Sequence, residues 1–168
     1  WLKPYMKDHS FKFRSRIFIR DEGEVTWLLD IQRSRWNSQN EIDFCINYGF
    51  FVPNFWSIFS KIPDPKNPKV PDCYLNRRLE GRSKNQWWRV SGKDVAERDR
   101  IGEEIVSLLK EQAIPFFIKF KSIKEIVLFL EENTLKESGL SPYRDENAKL
   151  EYMAVLYFII NEKKRCKE

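Results

Sequence analysis

The chain has 168 residues, a mass of 20.3 kDa and a formal charge of +5. That length suits one domain, which buries roughly two thirds of the surface its unfolded form exposes. An aromatic content of 15%, with thirteen Phe and six Trp, argues against disorder for most of the chain.

Charge is divided unevenly. From Trp1 to Val90 there are sixteen Lys and Arg against ten Asp and Glu, and from Ser91 to Glu168 fourteen against fifteen. The basic excess therefore belongs to the first half. A field of that sign favours phosphates, acidic proteins or anionic lipid, and it also serves solubility. Cys45, Cys73 and Cys166 lack metal spacing, and His9 is the single histidine, so no zinc cluster is expected. Cys45 and Cys73 fall in strand-like segments and read as buried free thiols, which suits a reducing cytoplasm. No apolar run has the length of a membrane span. The chain starts at Trp1 without Met, which is consistent with a truncated N-terminus.

Between 11 and 90 the pattern is that of a sheet. Phe11, Phe13, Ile17 and Ile19 alternate with Lys12, Arg14, Arg16 and Arg20, the period of one strand. Asp21-Glu22-Gly23 predicts a hairpin turn, because Gly supplies positive φ. The returning strand sets Val25, Trp27, Leu29 and Ile31 on one face and Thr26, Asp30, Gln32 and Ser34 on the other. Arg33 and Arg35 project away from that polar face, at the core edge or the next turn. A turn around Asn37 to Asn40 leads to Ile42, Phe44, Ile46, Tyr48 and Phe50, opposed by Asp43, Cys45 and Asn47. Four prolines between Ile62 and Pro71 exclude a regular element and predict a surface excursion. Tyr74 to Leu79 and Gln86 to Val90 supply two more strands, joined by a turn that Gly81 and Asn85 permit.

From 91 to 168 the period becomes helical. Ser91 and Asp94 resemble a capping box ahead of Val95, Ile101, Ile105, Leu108 and Leu109. Pro115 is expected to end that helix, and Phe116 to Phe120 reads as a short helix of its own. Ser122 and Glu125 form a cleaner box for a helix reaching about Glu132. Beyond a Gly139 turn, Ser141-Pro142 suits the start of a last helix, with Leu150, Met153, Leu156, Tyr157 and Ile160 as its apolar stripe. Lys163, Lys164 and Arg165 complement the dipole at its end. The layout predicts a single α+β domain over 1–168: an antiparallel meander of about five strands, then helices on one face.

The strings Phe11-Lys12-Phe13-Arg14, Ile31-Gln32-Arg33-Ser34-Arg35-Trp36-Asn37 and Phe44-Cys45-Ile46-Asn47-Tyr48-Gly49 carry a resemblance, with Phe18 and Trp27 between them. Arg77-Arg78-Leu79 before Trp87-Trp88, and Ala113-Ile114-Pro115-Phe116-Phe117, extend it. Together they resemble a bacterial family catalogued as domain of unknown function 4304. The resemblance implies no catalytic residue or cofactor. It implies a full helix ahead of Phe11, where this sequence has only Trp1 to Met6. By fold-level analogy it implies a recognition module, of the kind that includes immunity proteins neutralising toxins.

Six scattered glycines make no phosphate-binding loop, and a nucleophile relay would have to use His9 in the N-terminal segment. Asp30 and Asp43, on neighbouring strands with one orientation, are the remaining pair for hydrolytic acid–base chemistry; pairing with Arg16 or Arg78 is the structural alternative. The sequence points away from an enzyme. Asp30, Gln32, Asn47, Asn76 and Arg78 form the better constellation, a carboxylate, amides and a guanidinium on one open sheet face. The expected activity is binding of a protein partner without metal or organic cofactor. Arg77, Arg82, Lys84, Trp88 and Arg89 supply the alternative, cations and stacking rings for nucleic acid.

Overall fold

The computed structural model describes residues 1–81, 87–133 and 146–165, with side chains to 161. Arg82, Lys84, Asn85, the Gly139 turn, Ser141-Pro142 and Cys166 lie outside the described residues, as do the side chains of Lys163, Lys164 and Arg165. The elements run α1 (Leu2–Asp8), β1 (Lys12–Arg14), β2 (Ile17–Asp21), β3 (Thr26–Arg33), β4 (Glu41–Phe51), α2 (Phe55–Phe59), a 3-10 turn (Val70–Asp72), β5 (Leu75–Arg78), β6 (Trp88–Ser91), α3 (Val95–Leu108), a π-helical segment (Leu109–Ala113), α4 (Ile114–Lys119), α5 (Ile123–Glu132) and α6 (Glu146–Arg165). The α+β class is as expected, an antiparallel sheet with the longer helices after it, while α1 precedes the sheet and the short α2 lies between β4 and β5.

Among the described residues the sheet has six strands, because the segment read as one strand from Phe11 is a hairpin. Lys12, Phe13 and Arg14 pair with Ile19, Phe18 and Ile17. Ser15 and Arg16 make the two-residue loop at φ 49° and 74°. Both signs are those a type I′ turn needs, and the absence of Gly or Asn there hid it. β1 to β4 follow as a meander, with Asp30 opposite Asn47 and Gln32 opposite Cys45. β5 and β6 then share the outer edge of β4 end to end. Asn47 to Phe50 take β5, and Glu41 to Phe44 take β6.

Gly49 is what lets β5 approach. A Cβ there would stand 2.7 Å from the Leu75 carbonyl oxygen and 3.0 Å from the Cβ atoms of Cys73 and Asn76. Two of those neighbours are fixed by the β4–β5 ladder, so they cannot give way cheaply.

One face of the sheet meets the helices. Trp27, Leu29, Ile46, Tyr48, Phe50, Leu75 and Trp88 pack there against residues of α3, α4, α5 and α6. Phe117 stacks on Trp27 at 5.2 Å between ring centroids and meets Phe11 at 5.4 Å. The buried Trp27 indole donates to the Phe120 carbonyl at 3.1 Å, tying strand to helix end. Glu24 accepts from the Ile123 amide at 3.2 Å, at the start of α5.

The helices differ from expectation in their joints. Asp94, not Ser91, caps α3, accepting from the Glu97 amide at 2.9 Å; Ser91 closes β6 and accepts from Lys93. Pro115 does not stop the helical run. The run widens into a π turn ahead of it, where the ring would otherwise strike the carbonyl four residues earlier, and α4 starts with Pro115 in its first turn. The Ser122–Glu125 box is present as expected. In α6 the buried face is Tyr152, Leu156 and Ile159, while Leu150 and Tyr157 are exposed. The stripe is rotated because Tyr152 stacks on Tyr74 and packs against Phe55, contacts that the helix's own period cannot reveal.

The second face is not wholly open, contrary to expectation. The segment after β4 folds back over one end of it, where Leu28, Phe51, Val70 and Cys73 form a small second core with Ile17, Ile19 and Trp56. The Asp64 carboxylate holds this roof by accepting from the Asn54, Trp56 and Ser57 amides. The Trp56 indole donates to the Asp72 carbonyl at 2.9 Å.

Two stability measurements check these constraints. Gly49→Ala is expected to lower unfolding stability by about 1–3 kcal/mol through overpacking, while Gly92→Ala, with open space around it, stays near wild type. Trp27→Phe keeps a ring beside Phe117 but leaves the Phe120 carbonyl without its partner, a loss of about 1–3 kcal/mol in denaturant titration.

Candidate functional site

The polar group lies on the second face, beyond the edge of the roof. Alternation along each strand sets it up, since Asp30 and Gln32 on β3, Cys45 and Asn47 on β4, and Asn76 and Arg78 on β5 point to the same side. The register then aligns Asp30, Asn47 and Arg78 in one row across three strands, with Gln32 and Cys45 in the next.

The middle of the array is already paired. Asn47 Nδ2 donates to Gln32 Oε1 at 2.9 Å, and Arg78 Nε donates to Asn47 Oδ1 at 3.0 Å. The Cys45 thiol donates to the same Gln32 oxygen at 3.5 Å. Burial pushes the Cys45 thiol up, against the opposing effects of Arg78 and the Asn47 amide, so it stays a protonated donor and a poor nucleophile. The Arg78 guanidinium also sits 5.6 Å from the centre of the exposed Trp87 ring.

The two ends of the row differ from its middle. Asp30 has no hydrogen-bond or ion-pair partner among the described residues, and neither do the Nη atoms of Arg78. Half-burial at the rim of the roof pushes the Asp30 carboxyl up from its ordinary value, and the positive charges of Arg16 and Lys69 only partly offset this. Asn76 stands apart. Its amide donates to the Cys73 carbonyl at 2.9 Å and serves its own loop.

The register also separates the two carboxylates read as a hydrolytic pair. Asp30 lies opposite Asn47, so Asp43 is four residues along β4, about 13 Å at the rise of a strand. Asp43 is engaged by Arg89, whose Nε and Nη2 meet its two oxygens at 2.7 and 3.0 Å. That hydrogen-bonded guanidinium holds the Asp43 carboxyl below its usual range. The structural alternative, an Arg beside each acid, thus holds for Asp43 with Arg89 as the partner; among the described residues neither Arg16 nor Arg78 forms an ion pair with either acid, and Arg16 acts on Asp30 through its charge alone. Among the described residues no group of three or more His, Cys, Asp or Glu is placed to hold a metal ion.

The alternative basic constellation is not one surface. Trp88 is 3% exposed, packs on Phe44 and donates to Glu104 at 3.3 Å, so it offers no stacking platform. Arg77 lies over Phe116 on the helix side of the sheet, whereas Arg89 is on the other. Only Trp87 of the adjacent pair is exposed. Trp87 and the thiol of Cys45 are the members of the site that residue-type reasoning missed. Alternation along β4 was signal enough for Cys45; Lys69 arrives through the long excursion and left none.

A family model described as Domain of unknown function (DUF4304) matches residues 2–119. No curated protein and no solved structure matches the chain. Among the described residues no helix is long and apolar enough to cross a membrane.

The two strand carboxylates have opposite linkage signs. The raised Asp30 value means its contribution to stability is present below the unfolded-state pKa and is lost as pH rises through the folded one. Ionised Asp30 therefore weakens the fold near neutrality. Asp30→Asn is expected to raise the thermal midpoint at pH 7 by a few degrees at most, the difference fading as pH falls through the ordinary carboxylate range. Asp43→Asn is expected to lower it, an effect that fades as pH falls through the depressed Asp43 value. Paired melting curves across pH check both signs.

Proposed function

The chain belongs to the DUF4304 family, and we propose that it acts by non-covalent recognition of a protein partner through the polar row of Asp30, Gln32, Asn47 and Arg78. One observation carries this reading: the amides between are paired while a carboxylate and a guanidinium at the two ends are left with unused acceptors and donors. The ends stand two strand spacings apart, roughly 10 Å. That spacing suits a basic and an acidic side chain presented side by side by a partner. Arg78 offers its Nη fork to a carboxylate, and Asp30 accepts from a Lys or Arg.

Half-burial pushes the Asp30 carboxyl up although no side chain among the described residues bonds to it, and carboxyls perturbed in this way are concentrated at functional sites. The inert Cys45 and the separation of Asp30 from Asp43 favour binding over hydrolysis. Immunity proteins, which act by covering a toxin without reacting with it, are one class with this mode.

Affinity capture from native cells compares wild type with Asp30→Asn, Gln32→Ala and Arg78→Ala. Asp30→Asn and Arg78→Ala are each expected to weaken partner retention about tenfold or more, as truncating one side of a desolvated charge pair does. Gln32→Ala costs less, since it removes support and no charge. Retention should also fall in acid, as Asp30 protonates through its raised pKa. Equal recovery by all four proteins would falsify the site.

A further inference from the structure

The β3–β4 turn places Trp36 at the same end of the sheet as the polar row, four residues beyond Gln32 on one continuous strand and turn. Trp36 is 80% exposed, yet its backbone is held in place. Its amide donates to Ser34 Oγ at 3.1 Å. The neighbouring Asn37 side chain donates to the Asp43 carbonyl at 3.0 Å and accepts from the Asp43 amide at 2.8 Å. Ser38 closes the far side by accepting from the Glu41 amide at 3.0 Å. The indole is therefore presented by a fixed turn, with Arg35 4.9 Å from its ring.

Basic groups outnumber acidic ones around this turn, where Glu41 and Asp43 both lie within ion-pair distance of Arg89. The β1–β2 turn lies at the same end of the sheet, since Ile31 donates to the Arg16 carbonyl at 3.1 Å. Exposed Arg14, Arg16, Arg33 and Arg35 thus lie at this end, Arg33 on the helix side of β3, and none has an ion-pair partner within 4.0 Å among the described residues. The nearby Asp43 is already taken by Arg89.

We propose that Trp36 is the anchor of the recognition surface, and that it enters an apolar pocket rimmed by carboxylates on the partner protein. This rests on the reading that the sheet face binds a protein. Trp and Arg are the residue types that dominate binding energy at interfaces, and a ring already held by its turn loses little entropy on docking. Acidic groups on the partner are what these arginines complement, none of them held in an ion pair among the described residues and only Arg16 acting on a carboxylate, Asp30, through its charge. A lipid surface fits less well. The indole is flanked by Asn37, Ser38, Gln39 and Asn40, which insertion would carry towards the acyl chains, whereas a pocket takes one ring and leaves them wet.

The test uses the full chain. The protein that wild type retains from native cells is purified and titrated against Trp36→Ala, Trp36→Phe, the double variant Arg33→Glu with Arg35→Glu, and Arg78→Ala. Trp36 touches no core, so unchanged melting curves confirm that its variants fold. Trp36→Ala is expected to weaken binding about tenfold or more, with Trp36→Phe between it and wild type. The double charge reversal should slow association, and the deficit should shrink as salt rises. If Arg78→Ala weakens binding and Trp36→Ala does not, the anchor is wrong while the face stands; the reverse result removes the face and keeps the anchor. Three other results overturn the anchor proposal: no protein whose retention depends on Trp36, sedimentation with vesicles containing about 30% phosphatidylserine that Trp36→Ala abolishes, or a concentration-dependent dimer lost in that variant.

Discussion

The docking of α4 on the sheet is the contact on which the remaining architecture depends. Three aromatic residues, Phe116 and Phe117 of α4 and Phe120 at its C-terminal cap, pack onto Trp27, Tyr48 and Phe50. Aromatic rings bring large buried area to such a joint, and the Trp27 bond to the Phe120 carbonyl fixes its direction. With α4 held there, the π turn behind it points Gln112 at the chain after β5. Its side chain donates to the Glu80 carbonyl at 2.6 Å and accepts from the Glu80 amide at 3.0 Å. Ahead of α4, the Ser122 box and Glu24 start α5 against the hairpin. One joint thus sets the course of chain on both its sides.

Covering one face with helices leaves the other to be managed by shorter means. The chain after β4 is too rich in proline to add a strand, and it instead caps that face with Val70 and Trp56 over Leu28 and Phe51. This roof stops short of the outer end of β3 and β4. Where it stops, the environment changes within two residues from apolar to wet. Asp30 sits at that boundary, which is why its carboxyl is pushed up while Gln32 remains exposed. The contrast with Asp43 is environmental, for the same residue type on a neighbouring strand has its pKa lowered by an Arg89 clamp.

Much of this is legible in the sequence. Alternation of Val25, Trp27, Leu29 and Ile31 against Asp30 and Gln32 placed the core face and the polar face of β3, because side-chain direction in a strand is a local property. The Ser122–Glu125 cap and the Asp21–Gly23 turn were equally readable, each being closed by hydrogen bonds within four residues. Errors came where local signal was degenerate. Ser15 and Arg16 adopt positive φ without the residues that advertise it. Pro115 breaks an ideal helix, yet a widened turn accommodates it, and the α6 stripe is rotated by partners far away in sequence.

The sequence by itself determined the α+β class, the placing of the longer helices after the strands and the shared side of the sheet on which Asp30, Gln32, Asn47, Asn76 and Arg78 lie. These follow from periodicity and from short-range backbone chemistry. Only the tertiary structure decided which of those residues meet. Strand register aligned Asp30 with Asn47 and Arg78 and set Asp43 four residues away. The Asp64-held roof half-buried Asp30, and packing on Phe44 withdrew Trp88 from the surface. The physical reason is range: direction is set by neighbours along the chain, whereas register, burial and partnering depend on segments that meet only once the chain has closed.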